Sequence, residues 1–141
     1  MEFIQDRDKP AIKEKLSAMR SEVTLRYFTQ EIECDFCRET RQLLEELSVL
    51  DDKIKLEVFD FKNNPAEVEK YGIDKIPATV VANEKDYGIR FYGIPAGYEF
   101  SSLLDAILMV SEGESNLSPE SRKFLSEIKT PVHLQVFVTP T

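Results

Sequence analysis

The chain has 141 residues, 42% of them apolar and 31% charged, with a net charge of -8. That is enough for one ordinary domain with a real core, and no apolar run approaches the ~18 residues that a membrane-spanning helix needs. The acidity, with Lys and Arg spread rather than gathered in a stripe, argues against a nucleic-acid partner. The first residues, Met1 to Asp8, turn charged at once and lack the apolar stretch of a secretory signal, so a cytoplasmic location is expected.

Apolar positions Ala11, Ile12, Leu16 and Met19 fall near one helical face, and Pro10 suits a first turn, which predicts a short amphipathic helix over 8–19. Val23 to Phe28 is β-branched and aromatic and reads as a strand. After the loop 29–33 come Cys34 and Cys37, then Leu43, Leu44, Leu47 and Leu50 at steps of three and four. This predicts a helix over 38–50 that begins at or just before Cys37. Residues 54–61 alternate as a second strand with one well-buried face, and 65–71 form a two-turn helix stopped by Gly72. Ile76-Pro77 leads into an apolar strand, 78–82, and a turn over 83–88 returns the chain as a strand over 89–92. Leu103, Leu104, Ile107, Leu108 and Val110 give a broad apolar face to a helix over 99–110. The order from Val23 is an early βαβ unit followed by a hairpin and a covering helix. It implies an α/β fold with a mixed sheet and helices on both faces.

Two cysteines only three positions apart, in a chain expected to be cytoplasmic, point to redox or metal chemistry rather than a structural staple. Disulfide exchange needs one thiolate that attacks and a second thiol close enough to resolve the mixed disulfide. At a helix start, unpaired N–H groups favour a thiolate on Cys34, while Cys37 lies a turn inside, so Cys34 is the expected nucleophile and Cys37 the resolving thiol. Glu31, Glu33, Asp35 and Glu39 oppose that thiolate and Arg38 supports it. Glu33, Asp35, Phe36 and Arg38 are therefore the expected modulators of the couple. A structural zinc needs four ligands, and His133, the sole histidine, cannot complete a set with two cysteines, so a metal-binding module would require two copies and no metal is expected. His133 reads as a surface residue. Tyr87, Phe91, Tyr92, Tyr98 and Phe100 read as core and rim packing.

CxxC after the first strand, with Pro77 opening the third, resembles the thioredoxin and glutaredoxin families. The resemblance implies a three-layer fold preceded by an extra N-terminal helix, and no bound cofactor beyond the Cys34–Cys37 disulfide. It also implies a cis Ile76-Pro77 bond that leaves the backbone of Ile76 free to pair with an extended substrate. The sequence departs from those families in three places: Asp35-Phe36 lies between the cysteines, Glu33 replaces a tryptophan, and Phe28 stands where thioredoxins often carry a buried aspartate.

Beyond Asn116 the pattern restarts. Ser118-Pro119-Glu120 is a helix entry, Phe124, Leu125 and Ile128 form a stripe, and Val132 to Phe137 repeats Val23 to Phe28 at an offset of about 109 residues. A second CxxC would fall at about position 143, past Thr141. With Asp86-Tyr87-Gly88-Ile89-Arg90 and Gly93-Ile94-Pro95-Ala96-Gly97, the chain resembles the N-terminal half of the two-unit, glutaredoxin-like protein disulfide oxidoreductases of thermophilic archaea and bacteria. The expected divisions are 1–22, a helical extension; 23–112, a first thioredoxin-like unit; and 113–141, the linker, helix and first strand of a truncated second unit. The implied activity is protein thiol-disulfide exchange with protein disulfides as substrates and a thioredoxin-reductase-like flavoprotein as donor, the reducing direction being favoured. The alternative is an electron-relay or docking module of a peroxide-reducing flavoprotein system. An uncovered apolar strand at 132–138 is expected to dock on its own unit or on a second copy.

Overall fold

The computed structural model of the chain describes residues 1–139. Four strands form one mixed sheet: β1 (Val23–Thr29), β2 (Ile54–Asp60), β3 (Ala78–Ala82) and β4 (Arg90–Tyr92), in the order β2-β1-β3-β4. β2 runs parallel to β1, β3 antiparallel to β1, and β4 antiparallel to β3. Because side chains alternate along a strand, β1 serves two cores at once. Val23, Leu25 and Tyr27 join Val81 on one face, under α1 (Lys9–Leu16), α2 (Cys37–Ser48) and α4 (Tyr98–Glu112), where Leu16, Leu44, Leu47, Leu103 and Ile107 are buried. Phe28, Ala78, Val80 and Ala82 face the other way, toward α3 (Pro65–Tyr71). The result is the expected three-layer α/β arrangement, with helices on both faces and an added helix at the N-terminus.

That added helix is tied in by more than Ile12 and Leu16. The backbone N–H groups of Phe3 and Ile4 donate to the Glu46 carboxylate on α2 at 2.9 and 2.8 Å. Burial opposes ionisation of Glu46, but those two N–H groups and the Gln42 amide outweigh it and hold the carboxyl below its usual range. On the far side of the layer, Ser111 of α4 accepts from the N–H groups of Arg20 and Ser21 at 2.7 and 3.0 Å.

The β3–β4 hairpin is locked to α3 by one side chain. Arg90 donates to both oxygens of Asp86 at 2.8 and 2.6 Å and to the Tyr71 carbonyl at 3.1 and 3.2 Å. The Arg90 guanidinium is the chief reason that the Asp86 carboxyl lies below its ordinary range.

Several expectations shift at their edges. α1 stops at Leu16 rather than Met19, because the N–H groups of Ala18 and Met19 turn back to the carbonyls of Lys15 and Leu16 and tighten the end. β2 has little of the expected well-buried face: Ile54 is buried, but Val58 is 38% exposed, since β2 is an edge strand that nothing covers outward. α4 is longer than expected, running from Gly97 to the left-handed stop at Gly113 (φ 75°).

The segment after α4 behaves differently from the rest. Ser118 does cap a helix, α5 (Pro119–Ser126), by accepting from the Ser121 N–H, but no residue of α5 is buried. The strand expected over 132–137 does not form. Its residues carry no ladder pairing, and Leu134, Val136 and Phe137 are exposed. A strand is defined by a partner, and none is adjacent here.

Candidate functional site

β1 delivers the chain into the loop 30–36, and two non-glycine residues in the left-handed region turn it: Glu33 (φ 56°) and Phe36 (φ 66°). Such conformations cost of order 1–3 kcal/mol each and persist only where the surroundings enforce them. Here they fold the loop back on the first turn of α2, where Cys34 and Cys37, with Cα atoms 5.6 Å apart, are joined by a disulfide. The Phe36 carbonyl then accepts from the Thr40 N–H at 2.9 Å and the Thr40 hydroxyl at 2.7 Å. No side chain caps the N-terminus of α2, so its first-turn N–H groups remain open toward the cysteines.

The two sulfurs sit in unequal surroundings. Cys34 is half-buried, whereas Cys37 is only 3% exposed and enclosed by the core. Beneath Cys37, the buried hydroxyl of Tyr27 donates to its carbonyl oxygen at 2.5 Å. Tyr27 was not singled out by sequence reasoning. The available signal was its place in the alternation of β1, which turns it to the same side as α2.

Glu31, Glu33, Asp35, Arg38 and Glu39 are all exposed, so water screens their charges. Ile32 and Phe36 are also exposed, at 71% and 58%, and add apolar surface to the same loop. Phe28, at the expected aspartate position, faces away from the cysteines and packs in the α3 core, 5.2 Å from the Phe59 ring and 6.0 Å from that of Tyr71.

The Ile76-Pro77 bond is cis. β3 pairs with β1 as far as Ala78 opposite Phe28, which puts Pro77 one step further, at the end of the sheet from which the cysteine loop leaves. The Pro77 carbonyl accepts from the Gly93 N–H at 2.9 Å. Ile76 is half-buried, and among the described residues its N–H and carbonyl make no hydrogen bond.

His133 is exposed and takes no part in this site, and among the described residues no group of three or more His, Cys, Asp and Glu side chains is placed to hold a metal ion. Of the aromatic residues read as packing, Phe91 and Phe100 lie against the main core, whereas Tyr98 is 83% exposed. No helix among the described residues is long and apolar enough to cross a membrane.

No protein-family model matches the chain. It is 35% identical over 83 residues to the alkyl hydroperoxide reductase AhpF of Xanthomonas campestris pv. phaseoli, a match that covers 59% of this chain and 14% of that protein. Among solved structures it superposes on the alkyl hydroperoxide reductase AhpF of Enterococcus faecalis with a TM-score of 0.82 and 27% identity, over 91% of this chain and 62% of that one. It also superposes on a protein disulfide oxidoreductase of Aeropyrum pernix with a TM-score of 0.79 and 24% identity, over 89% of this chain and 56% of that one. The chain thus spans a minor part of the curated relative and a little over half of each solved structure. The superpositions show a thioredoxin-superfamily fold, and the Cys34–Cys37 pair occupies it as a CxxC disulfide.

Proposed function

We propose that this thioredoxin-superfamily unit is a protein thiol-disulfide oxidoreductase in which Cys34 attacks and Cys37 resolves. The observation that carries it is the asymmetry of the pair: a half-exposed sulfur joined to one that is 3% exposed, at an uncapped helix start. In the reducing direction, the Cys34 thiolate, favoured by the open N–H groups of α2, attacks one sulfur of a target disulfide and releases the other as a thiolate. The Cys37 thiolate then attacks Cys34 Sγ, releases the second target sulfur and closes the internal disulfide. Two electrons pass to the target, and a dithiol donor must restore the pair. The free N–H and carbonyl of Ile76 would hold an extended target segment beside Pro77, with Ile32 and Phe36 as apolar contacts. Glu33, Asp35 and Arg38 act on Cys34 only through water, so their influence falls with salt.

The test is reduction of insulin by dithiothreitol. The wild-type protein is expected to accelerate it, with a rate that changes as ionic strength screens the loop charges; a rate equal to that of dithiothreitol alone would exclude a general disulfide reductase.

The likeness to alkyl hydroperoxide reductase AhpF favours a second reading, a relay module that passes electrons from a flavoprotein reductase to a peroxide-reducing partner in the cytoplasm. It predicts exchange with the disulfide of such a partner at least about tenfold faster than with insulin, as expected where docking supplies binding energy. Equal rates would count against it.

A further inference from the structure

Tyr27 is fully buried on β1, and its hydroxyl reaches the carbonyl of Cys37, the first residue of α2. Burial pushes the phenol above its usual range, outweighing the nearby Thr29 and Thr40 hydroxyls, so it remains a proton donor at neutral pH. Across the ladder Tyr27 pairs with Thr79, whose buried hydroxyl has no partner among the described residues. The phenol therefore gives its hydrogen bond to the redox motif, not to its polar neighbour in the sheet.

We infer that Tyr27 is a positioning residue for the redox couple, holding the backbone of Cys37 against β1 so that Cys37 Sγ stays within bonding distance of Cys34. The left-handed residues Glu33 and Phe36 supply the reason that a pin is needed. The loop between β1 and α2 is held in sparsely populated backbone conformations, and it relaxes unless both ends are fixed. One end is fixed by the ladder of β1. At the other end, Thr40 binds the Phe36 carbonyl and Tyr27 binds that of Cys37. With the disulfide closed, the covalent bond resists relaxation. With the thiols free, it does not, so loss of the Tyr27 hydroxyl lets the reduced form spread over more conformations and lowers the effective concentration of one thiol at the other.

This inference rests on the exchange reading above. The experiment is the equilibrium of the full chain with reduced and oxidised glutathione, comparing wild type, Tyr27→Phe and Thr79→Val. Tyr27→Phe removes one oxygen and is expected to lower the oxidation equilibrium constant about fivefold, the fold-change equivalent to one net hydrogen bond. Thr79→Val removes the unpartnered hydroxyl at similar volume, and is expected to leave that constant unchanged while raising thermal stability. A Tyr27→Phe constant within twofold of wild type, in protein with wild-type circular dichroism, would overturn the inference. So would an equal shift in Thr79→Val, since it would make the effect one of general core stability. If wild type itself shows no reversible couple, it is the exchange reading that fails.

Discussion

Cys37→Ser, mixed with a target disulfide, should accumulate a stable mixed disulfide through Cys34, whereas Cys34→Ser should accumulate none. Both substitutions remove one partner of the same two-step exchange, so both should lower insulin reduction by about a hundredfold or more, since residues that act as a unit fail together. Turnover alone cannot separate their roles, but the trapped species can. Cys34 is half-exposed beside Ile32 and Phe36 and can meet a protein-sized target, while Cys37 lies 3% exposed under the first turn of α2. Mass spectrometry of each variant after incubation with the target reads the outcome directly. Accumulation in Cys34→Ser, through Cys37, would reverse the assignment of attacking and resolving sulfurs.

The second large effect concerns the helix that precedes β1. Leu16 is 0% exposed at the end of α1 and belongs to the same cluster as Leu44, Leu103 and Ile107. Leu16→Ala is therefore expected to destabilise the chain by about 2–5 kcal/mol, the cost of a buried leucine truncated to alanine. Urea unfolding should show a lower midpoint with little change in slope. Phe124→Ala on α5, where the ring is 69% exposed, should change stability by no more than about 0.5 kcal/mol. A loss below about 1 kcal/mol for Leu16→Ala would mean that α1 is a detachable appendage and that residues 1–22 contribute little to the unit that carries the cysteines.

These two predictions draw on parts of the molecule that the sequence revealed unequally. β1, α2 and β3 were readable because each carries its own signal: β-branched alternation, leucines at helical spacing, and a proline before an apolar run. The placement of Cys37 at the first residue of α2 followed from the same leucine spacing. The cis geometry at Ile76-Pro77 was legible only through resemblance, since position alone favours trans. Tyr27 was hidden because its role depends on which face of β1 meets α2, a tertiary fact. The strand expected over 132–137 shows the opposite limit. Its alternation matches that of β1, but β1 lies between β2 and β3, and no ladder partner is adjacent to 132–138 among the described residues. Periodicity reports what a segment can become, and pairing decides whether it does. The carboxylates of the cysteine loop were correctly placed on the surface by their charge, but their spread through solvent, rather than around a shielded sulfur, needed the fold to be seen.

The most direct measurement is a redox titration of the Cys34–Cys37 pair in dithiothreitol buffers of graded potential, with free thiols alkylated by a mass tag at each point. A functional couple gives one reversible transition in which both tags appear together, with the slope of about 30 mV per decade that a two-electron exchange requires. Tags that appear one at a time, or a disulfide that fails to re-form when the buffer is made oxidising again, would contradict a catalytic role for the pair.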